Sequence, residues 1–174
     1  MARPSYSDAL DRSGLLAGLA RFDPHVAGTP PLGLDLPDSD IDVICHAADA
    51  RVFANAVWAF AGDFEAFSIH QWTEDGRPVV ATFRVHGWPV ELFGDARPVA
   101  QQPGWRHFEI ERRLLALGGE SLHAAVMERR CNGLKTEPAF ADVLRLAGDP
   151  YVALLELEAM SDAELAQMLR SSRL

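Results

Sequence analysis

Residues 39–44 read Ser-Asp-Ile-Asp-Val-Ile, a short run in which carboxylates alternate with β-branched residues. The β-branched content predicts a strand over Ile41 to Cys45. Side chains two apart leave the same face of a strand, so Asp40 and Asp42 point at one spot while Ile41, Val43 and Cys45 point into a core. The chain must therefore build a sheet with one packed face and one open face. Close carboxylates repel unless a cation lies between them, and hard oxygen ligands of this kind suit magnesium or manganese, which also bind substrate phosphates. The plainer reading is a pair of solvated acids on a half-exposed sheet. Against it stands Pro89-Val90-Glu91-Leu92-Phe93, where the alternation recurs and Glu91 takes the open face. If both strands are close, Glu91 completes an acidic triad with Asp40 and Asp42.

Around these strands the pattern predicts a helix over 7–21 carrying Leu10, Leu15, Leu16 and Leu19, then a strand at His25–Ala27 running into a loop rich in glycine and proline. A helix is expected over 48–60, with Val52, Val57 and Phe60 as its apolar positions. Strands follow over 64–72, 78–85 and 89–93, separated by Asp75-Gly76 and His86-Gly87, which are hairpin-turn residues, so a meander is expected. Beyond Gly94 helical periodicity takes over, in segments 105–117, 122–130, 138–146, 151–160 and 163–169. The expected class is α+β, a mixed sheet flanked by helices (1–96) followed by a C-terminal helical bundle (97–174) packed on it as one compact unit.

Composition narrows the partners. A formal net charge of -9 disfavours a protein that grips long nucleic acid through its phosphates. No apolar run approaches the roughly 18 residues of a membrane span, and the N-terminus lacks a secretory pattern, so a cytoplasmic location is expected. Cys45 and Cys131 have no ligand spacing and are expected to be reduced; the histidines suggest no zinc site. Of 16 basic residues only Lys135 is a lysine, a compact ammonium where the chain otherwise uses arginine.

Gly28-Thr29, a short spacer, Ser39-Asp40-Ile41-Asp42 and the later Glu91 together resemble the nucleotidyltransferase superfamily of polymerase-beta-like folds. Gly28 would let backbone N–H groups approach a triphosphate, and the Thr29 hydroxyl could donate to one of its oxygens. The family usually has serine at the second position and then enters a helix, whereas here Pro30-Pro31 follows. The resemblance extends to a bacterial branch through Gly28-Thr29-Pro30-Pro31-Leu32-Gly33, Val90-Glu91-Leu92-Phe93-Gly94, Arg106-His107-Phe108 and Gly133-Leu134-Lys135-Thr136-Glu137-Pro138-Ala139-Phe140. It implies catalytic and metal-binding roles for Asp40, Asp42 and Glu91, nucleotide-binding roles for Gly28, Thr29, Ser39 and Lys135, and a Mg2+ or Mn2+ cofactor. It names no particular substrate.

In the helical half, Lys135 could reach a triphosphate, or stand as a solvated helix-end residue. His107, with Arg106 beside it and Glu111 four residues on, could contact the acceptor and serve as a base; packing or capping is the plainer role. Trp72, Trp88 and Trp105 could line a pocket, with core packing again plainer. Two functions result. One is a metal-dependent enzyme moving a nucleoside monophosphate from a nucleoside triphosphate, ATP foremost, to a small-molecule or protein hydroxyl. The other is a non-catalytic nucleotide- or partner-binding module, whose leucine-bearing helices could support a homodimer.

Overall fold

The computed structural model describes residues 3–73 and 76–171, so Asp75 of the expected Asp75-Gly76 turn lies outside the described residues. In chain order the elements are α1 (Tyr6–Ser13), α2 (Leu15–Gly18), β1 (His25–Ala27), β2 (Ile41–His46), α3 (Ala50–Ala61), β3 (Glu65–Gln71), β4 (Val79–Val85), β5 (Trp88–Asp95), α4 (Pro103–Cys131), α5 (Thr136–Leu144), α6 (Pro150–Glu156) and α7 (Asp162–Ser171). The class is α+β, as expected. The chain divides into two compact units, one comprising residues up to Pro31 with Pro37–Trp105, the other Leu32–Leu36 with residues from Arg106 onward.

The first unit is built on a five-stranded sheet of order β1-β2-β5-β4-β3. β2 and β5 are parallel and the other neighbours antiparallel, so β3, β4 and β5 form the expected meander. At its second turn His86 (φ 49°) and Gly87 (φ 87°) both take positive φ, the conformation that matches the twist of a two-residue hairpin. Ile41, Val43 and Cys45 of β2 and Val90 and Leu92 of β5 are all buried, on the sheet face that carries the core. Burial pushes the Cys45 thiol up to about 12, with Asp23 adding to the rise, so this sulfur is inert packing.

Helix α3 begins at Ala50 because the Asp49 carboxylate accepts hydrogen bonds from the Arg51 and Val52 amides at 2.9 and 3.0 Å. Its inward residues are Phe53, Val57 and Ala61, whereas Val52, expected to be apolar-facing, is largely exposed. Gly94 leaves the space that the Phe53 ring occupies. The single helix expected over 7–21 is interrupted at Gly14, whose left-handed φ of 67° caps α1 and starts α2. Trp88 is buried, donates to the Pro4 carbonyl at 2.9 Å and lies under the Arg3 guanidinium, which makes it a packing residue.

In the second unit the two helices expected over 105–117 and 122–130 are found within the range of α4, meeting at a kink at Gly119, whose backbone is not helical (φ 59°, ψ -153°). Leu114, Leu122, Val126, Phe140, Leu154 and Leu165 are buried here. Asp149 caps α6, and Ser161 with Glu164 forms a reciprocal capping box at the start of α7. Among the described residues, no helix is long and apolar enough to cross a membrane.

Glu111 is 4% exposed on α4, and its Oε1 has no hydrogen-bond partner among the described residues. Burial, and after it the charge of Glu137, push this carboxyl well above the usual carboxylate range, while Arg130 pulls it down. The folded protein therefore keeps the Glu111 proton to higher pH than the unfolded chain does. The stability tied to that proton is fully present below the unfolded carboxylate value, about 4.3, and is lost as pH rises towards the folded value. Glu111→Gln should melt like the parent protein at a pH of about 4 and at a higher temperature than the parent at a pH of about 8. Thermal melts monitored by circular dichroism across that range check the sign.

Candidate active site

Asp42 and Glu91 face each other across the parallel β2–β5 pair, in direct register. Asp40 sits one residue before β2 and is exposed; Asp42 and Glu91 are half-buried. Burial, and after it the negative charge of Asp40, raise the Glu91 carboxyl above the ordinary range, with His70 pulling it down.

β1 runs antiparallel to β2 with Ala27 opposite Asp42, so the next residue, Gly28, turns out of the sheet beside that carboxylate. Gly28 has a φ of 74°, and any Cβ placed there would collide with Asp42 Oδ2. Glycine is demanded here by conformation and by space. The Thr29 hydroxyl donates to Ser39 Oγ at 3.2 Å, which brings both ends of the loop that separates Gly28 from Asp40 to one place. Pro30-Pro31 does not open a full helix as the superfamily pattern would; residues Pro30–Leu32 form a single 3-10 turn. Proline suits the first positions of such a turn because it needs no N–H donor.

The register adds residues that sequence reasoning passed over. Ser68, Thr82, Glu91 and Asp42 are successive cross-strand partners over β3, β4, β5 and β2, so they share the open face, and His70 lies two residues beyond Ser68 on it. The alternation of Val79, Ala81, Phe83 and Val85 with Thr82 and Arg84 carried a signal for Thr82. Phe67 and Ile69, alternating with Ser68 and His70, carried a like signal for His70, whose neighbours on that face depend on the pairing of β3.

The other expected site residues, Arg106, His107, Glu111 and Lys135, belong to the second unit. Arg106 forms a two-pronged pair with Glu158. His107 Nε2 bonds the Tyr151 carbonyl at 2.9 Å, and the two rings meet edge to face. Glu111 is buried. Lys135 is exposed and stands as the N-cap of α5, with no side-chain capping bond.

Asp40, Asp42 and Glu91 fit a hard divalent cation by donor chemistry, being carboxylates whose mutual repulsion such an ion would offset. Among the described residues no three His, Cys, Asp or Glu side chains close into a metal cage. Magnesium does not demand one, since it is commonly held by one or two carboxylates with substrate phosphates filling further positions.

Solved structures share this architecture. The GLD-2/RNP-8 complex matches with a TM-score of 0.55 at 11% identity, over 92% of this chain and 73% of that one. A Cid1 structure described for its RNA terminal uridylyl transferase activity gives 0.55 at 12% identity, over 85% and 45% of the two chains. The MgGTP-bound Cid1 poly(U) polymerase gives 0.52 at 14% identity, over 86% and 47%. The chain thus spans less than half the length of the Cid1 chains it matches. With its mixed sheet and paired acids, it has a nucleotidyltransferase fold. No curated protein matches it in sequence. The profile of the domain of unknown function DUF4269 matches residues 8–157, and the chain belongs to that family.

Gly28→Ala should displace the Asp42 carboxylate and strain the left-handed backbone, costing about 1–2 kcal/mol of stability. Urea denaturation measures that loss, and a Mn2+ titration of the folded variant should show weaker binding than the parent.

Proposed function

We propose that this protein is a divalent-metal-dependent nucleotidyltransferase that moves a nucleoside monophosphate from a nucleoside triphosphate to a hydroxyl of a small molecule or a protein. The observation that carries the reading is the in-register pair Asp42 and Glu91, with Gly28 pressed against Asp42 and the Thr29–Ser39 hydroxyl pair beside it. Acids on one strand pair and a glycine turn next to them supply, within a few residues, both a cation-binding face and a phosphate-binding loop. The MgGTP-bound state of a fold relative supports magnesium and a triphosphate as ligands.

Asp40, Asp42 and Glu91 would hold the cation. When bound, it would neutralise triphosphate charge and make the acceptor hydroxyl easier to deprotonate. Gly28 carries no side chain of its own, so its main chain lies directly against the Asp42 carboxylate and brings the start of the loop to the cation-binding face. Thr29 gives its one hydroxyl hydrogen to Ser39 Oγ, and that bond fixes the spacing of the two oxygens before substrate arrives, so little ordering of the loop ends remains to be done on binding. The acceptor oxygen bonds the α-phosphorus, and the bond to the pyrophosphate oxygen breaks.

The structural relatives include a poly(U) polymerase and an RNA terminal U-transferase. A net charge of -9 favours a small or protein acceptor over a long RNA, because a polyanion would meet repulsion outside the site. ATP is the expected donor.

Pyrophosphate release should be measured with Mg2+ or Mn2+, each nucleoside triphosphate and a panel of hydroxyl acceptors. Asp42→Asn and Glu91→Gln should each lower release by at least about a hundredfold. Their melting temperatures should match or exceed that of the parent, because each removes like-charge repulsion. Full activity in either variant sinks the reading, and calorimetric binding of triphosphate without turnover on any acceptor would mark a binding module instead.

A further inference from the structure

Asp42 and Glu91 are fixed by the pairing of β2 with β5, but Asp40 stands one residue before that ladder, which begins at Ile41. It closes an approach, residues 37–40, that belongs to no strand or helix. A carboxylate on irregular backbone keeps one place only where something other than a ladder restrains the main chain before it.

Arg3, a residue of the same unit, supplies such a restraint. Its Nη1 donates to the Pro37 carbonyl at 3.1 Å and to the Ser39 carbonyl at 3.3 Å. The Ser39 carbonyl lies in the peptide plane that carries the Asp40 amide, so a hold on one end of that rigid plane sets the other. The side chain of Ser39 is tied as well, accepting the Thr29 hydroxyl hydrogen at 3.2 Å. Ser39 is thus held through its main chain by Arg3 and through its hydroxyl by Thr29.

The guanidinium is itself seated. Its carbon lies 3.3 Å from the centre of the Trp88 ring. A guanidinium is planar with its N–H bonds in the plane, so its face can rest on an indole while its edge donates to carbonyls. Trp88 is buried at the start of β5, three residues before Glu91, and its indole N–H donates to the Pro4 carbonyl at 2.9 Å. Pro4 has its φ locked by the ring and restricts Arg3 before it to extended backbone. Ser5 then accepts the Asp8 amide at 3.1 Å as the cap of α1, whose Ala9 and Leu10 are in the core. Arg3 is therefore anchored from behind by α1 and β5, and reaches forward to the approach of β2.

We propose that Arg3 is a positioning residue for Asp40: seated on Trp88, it holds the Pro37 and Ser39 carbonyls and thereby sets the main chain that carries the Asp40 carboxylate. The inference rests on the reading of Asp40, Asp42 and Glu91 as a cation-binding face. It gives the first described residue of the chain a task at the site, and gives Trp88 one as its seat.

The test uses the full chain with Arg3→Met and Arg3→Lys, each made alone and together with Asp40→Asn. Amide hydrogen exchange over residues 38–41, urea denaturation and Mn2+ affinity by titration calorimetry are compared. Arg3→Met keeps an aliphatic stem over Trp88 and removes the donors. It should speed exchange over 38–41 and weaken Mn2+ binding about tenfold. In the Asp40→Asn background the same change should leave Mn2+ affinity within about twofold, because the ligand that Arg3 places is already gone. A residue that only stabilised the unit would weaken binding equally in both backgrounds. Arg3→Lys should recover part of the exchange protection and of the affinity, since an ammonium still donates to a carbonyl but has no flat face for the indole. Should urea denaturation show Arg3→Met unfolded, Arg3→Lys makes the same comparison against the parent; should Asp40→Asn bind too weakly to titrate, the recovery in Arg3→Lys decides. Unchanged exchange, unchanged Mn2+ affinity, equal losses in both backgrounds, or no recovery with lysine overturns the proposal. A parent protein that binds no Mn2+ overturns the cation reading, while the exchange comparison still decides by itself whether Arg3 holds the approach to β2.

Discussion

The parallel pairing of β2 with β5 is the contact on which the first unit depends. It sets Ile41 opposite Val90 and Val43 opposite Leu92 on the packed face, and Asp42 opposite Glu91 on the open one. Because side chains alternate, a slip of one residue in β2 would turn the Asp42 carboxylate into the core and bring the apolar set out to water. Each of those apolar side chains gains roughly 1.5–3 kcal/mol by burial. Register is therefore enforced by packing, and the opposed acids follow as a consequence. Charges that repel each other are held together by a hydrophobic force acting on the other side of the same strands.

Glu91 is held against its own preference, since burial and after it the charge of Asp40 raise its carboxyl. Groups held against their own preference mark the places where a fold serves chemistry more than stability. Gly28 belongs to the same pattern. A residue with a side chain would favour extended or helical backbone there, yet the left-handed turn and the closeness of Asp42 leave room for none. Acids, glycine turn and hydroxyl pair fall within a short stretch of β1, β2 and the loop between them, joined by one residue of β5.

The second unit uses its polar side chains differently. Arg106, His107 and Arg113 each reach a partner on the later helices or their connections: Glu158, the Tyr151 carbonyl, and Asp162 with the Met160 carbonyl. Glu111 is the exception, buried with one oxygen lacking a partner among the described residues and its carboxyl pushed well above the usual range by that burial. Arg106 and His107, singled out in the sequence, and Arg113, which was not, thus tie α4 to the later helices and their connections.

Local pattern determined a good deal by itself. Alternation in residues 39–44 and 89–93 revealed both strands, their packed faces and the facing of Asp42 and Glu91, since a strand's two-residue period is written directly in its side chains. The His86-Gly87 turn was equally legible, because its backbone angles favour few residues. Tertiary structure alone decided that β2 and β5 are neighbours, that Asp42 lies level with Glu91, and that Thr82 and His70 join their face. It also decided the break at Gly14 and the burial of Glu111. Which strand lies beside which, and how deep a carboxylate sits, depend on contacts between residues far apart in the chain, and no local period encodes those.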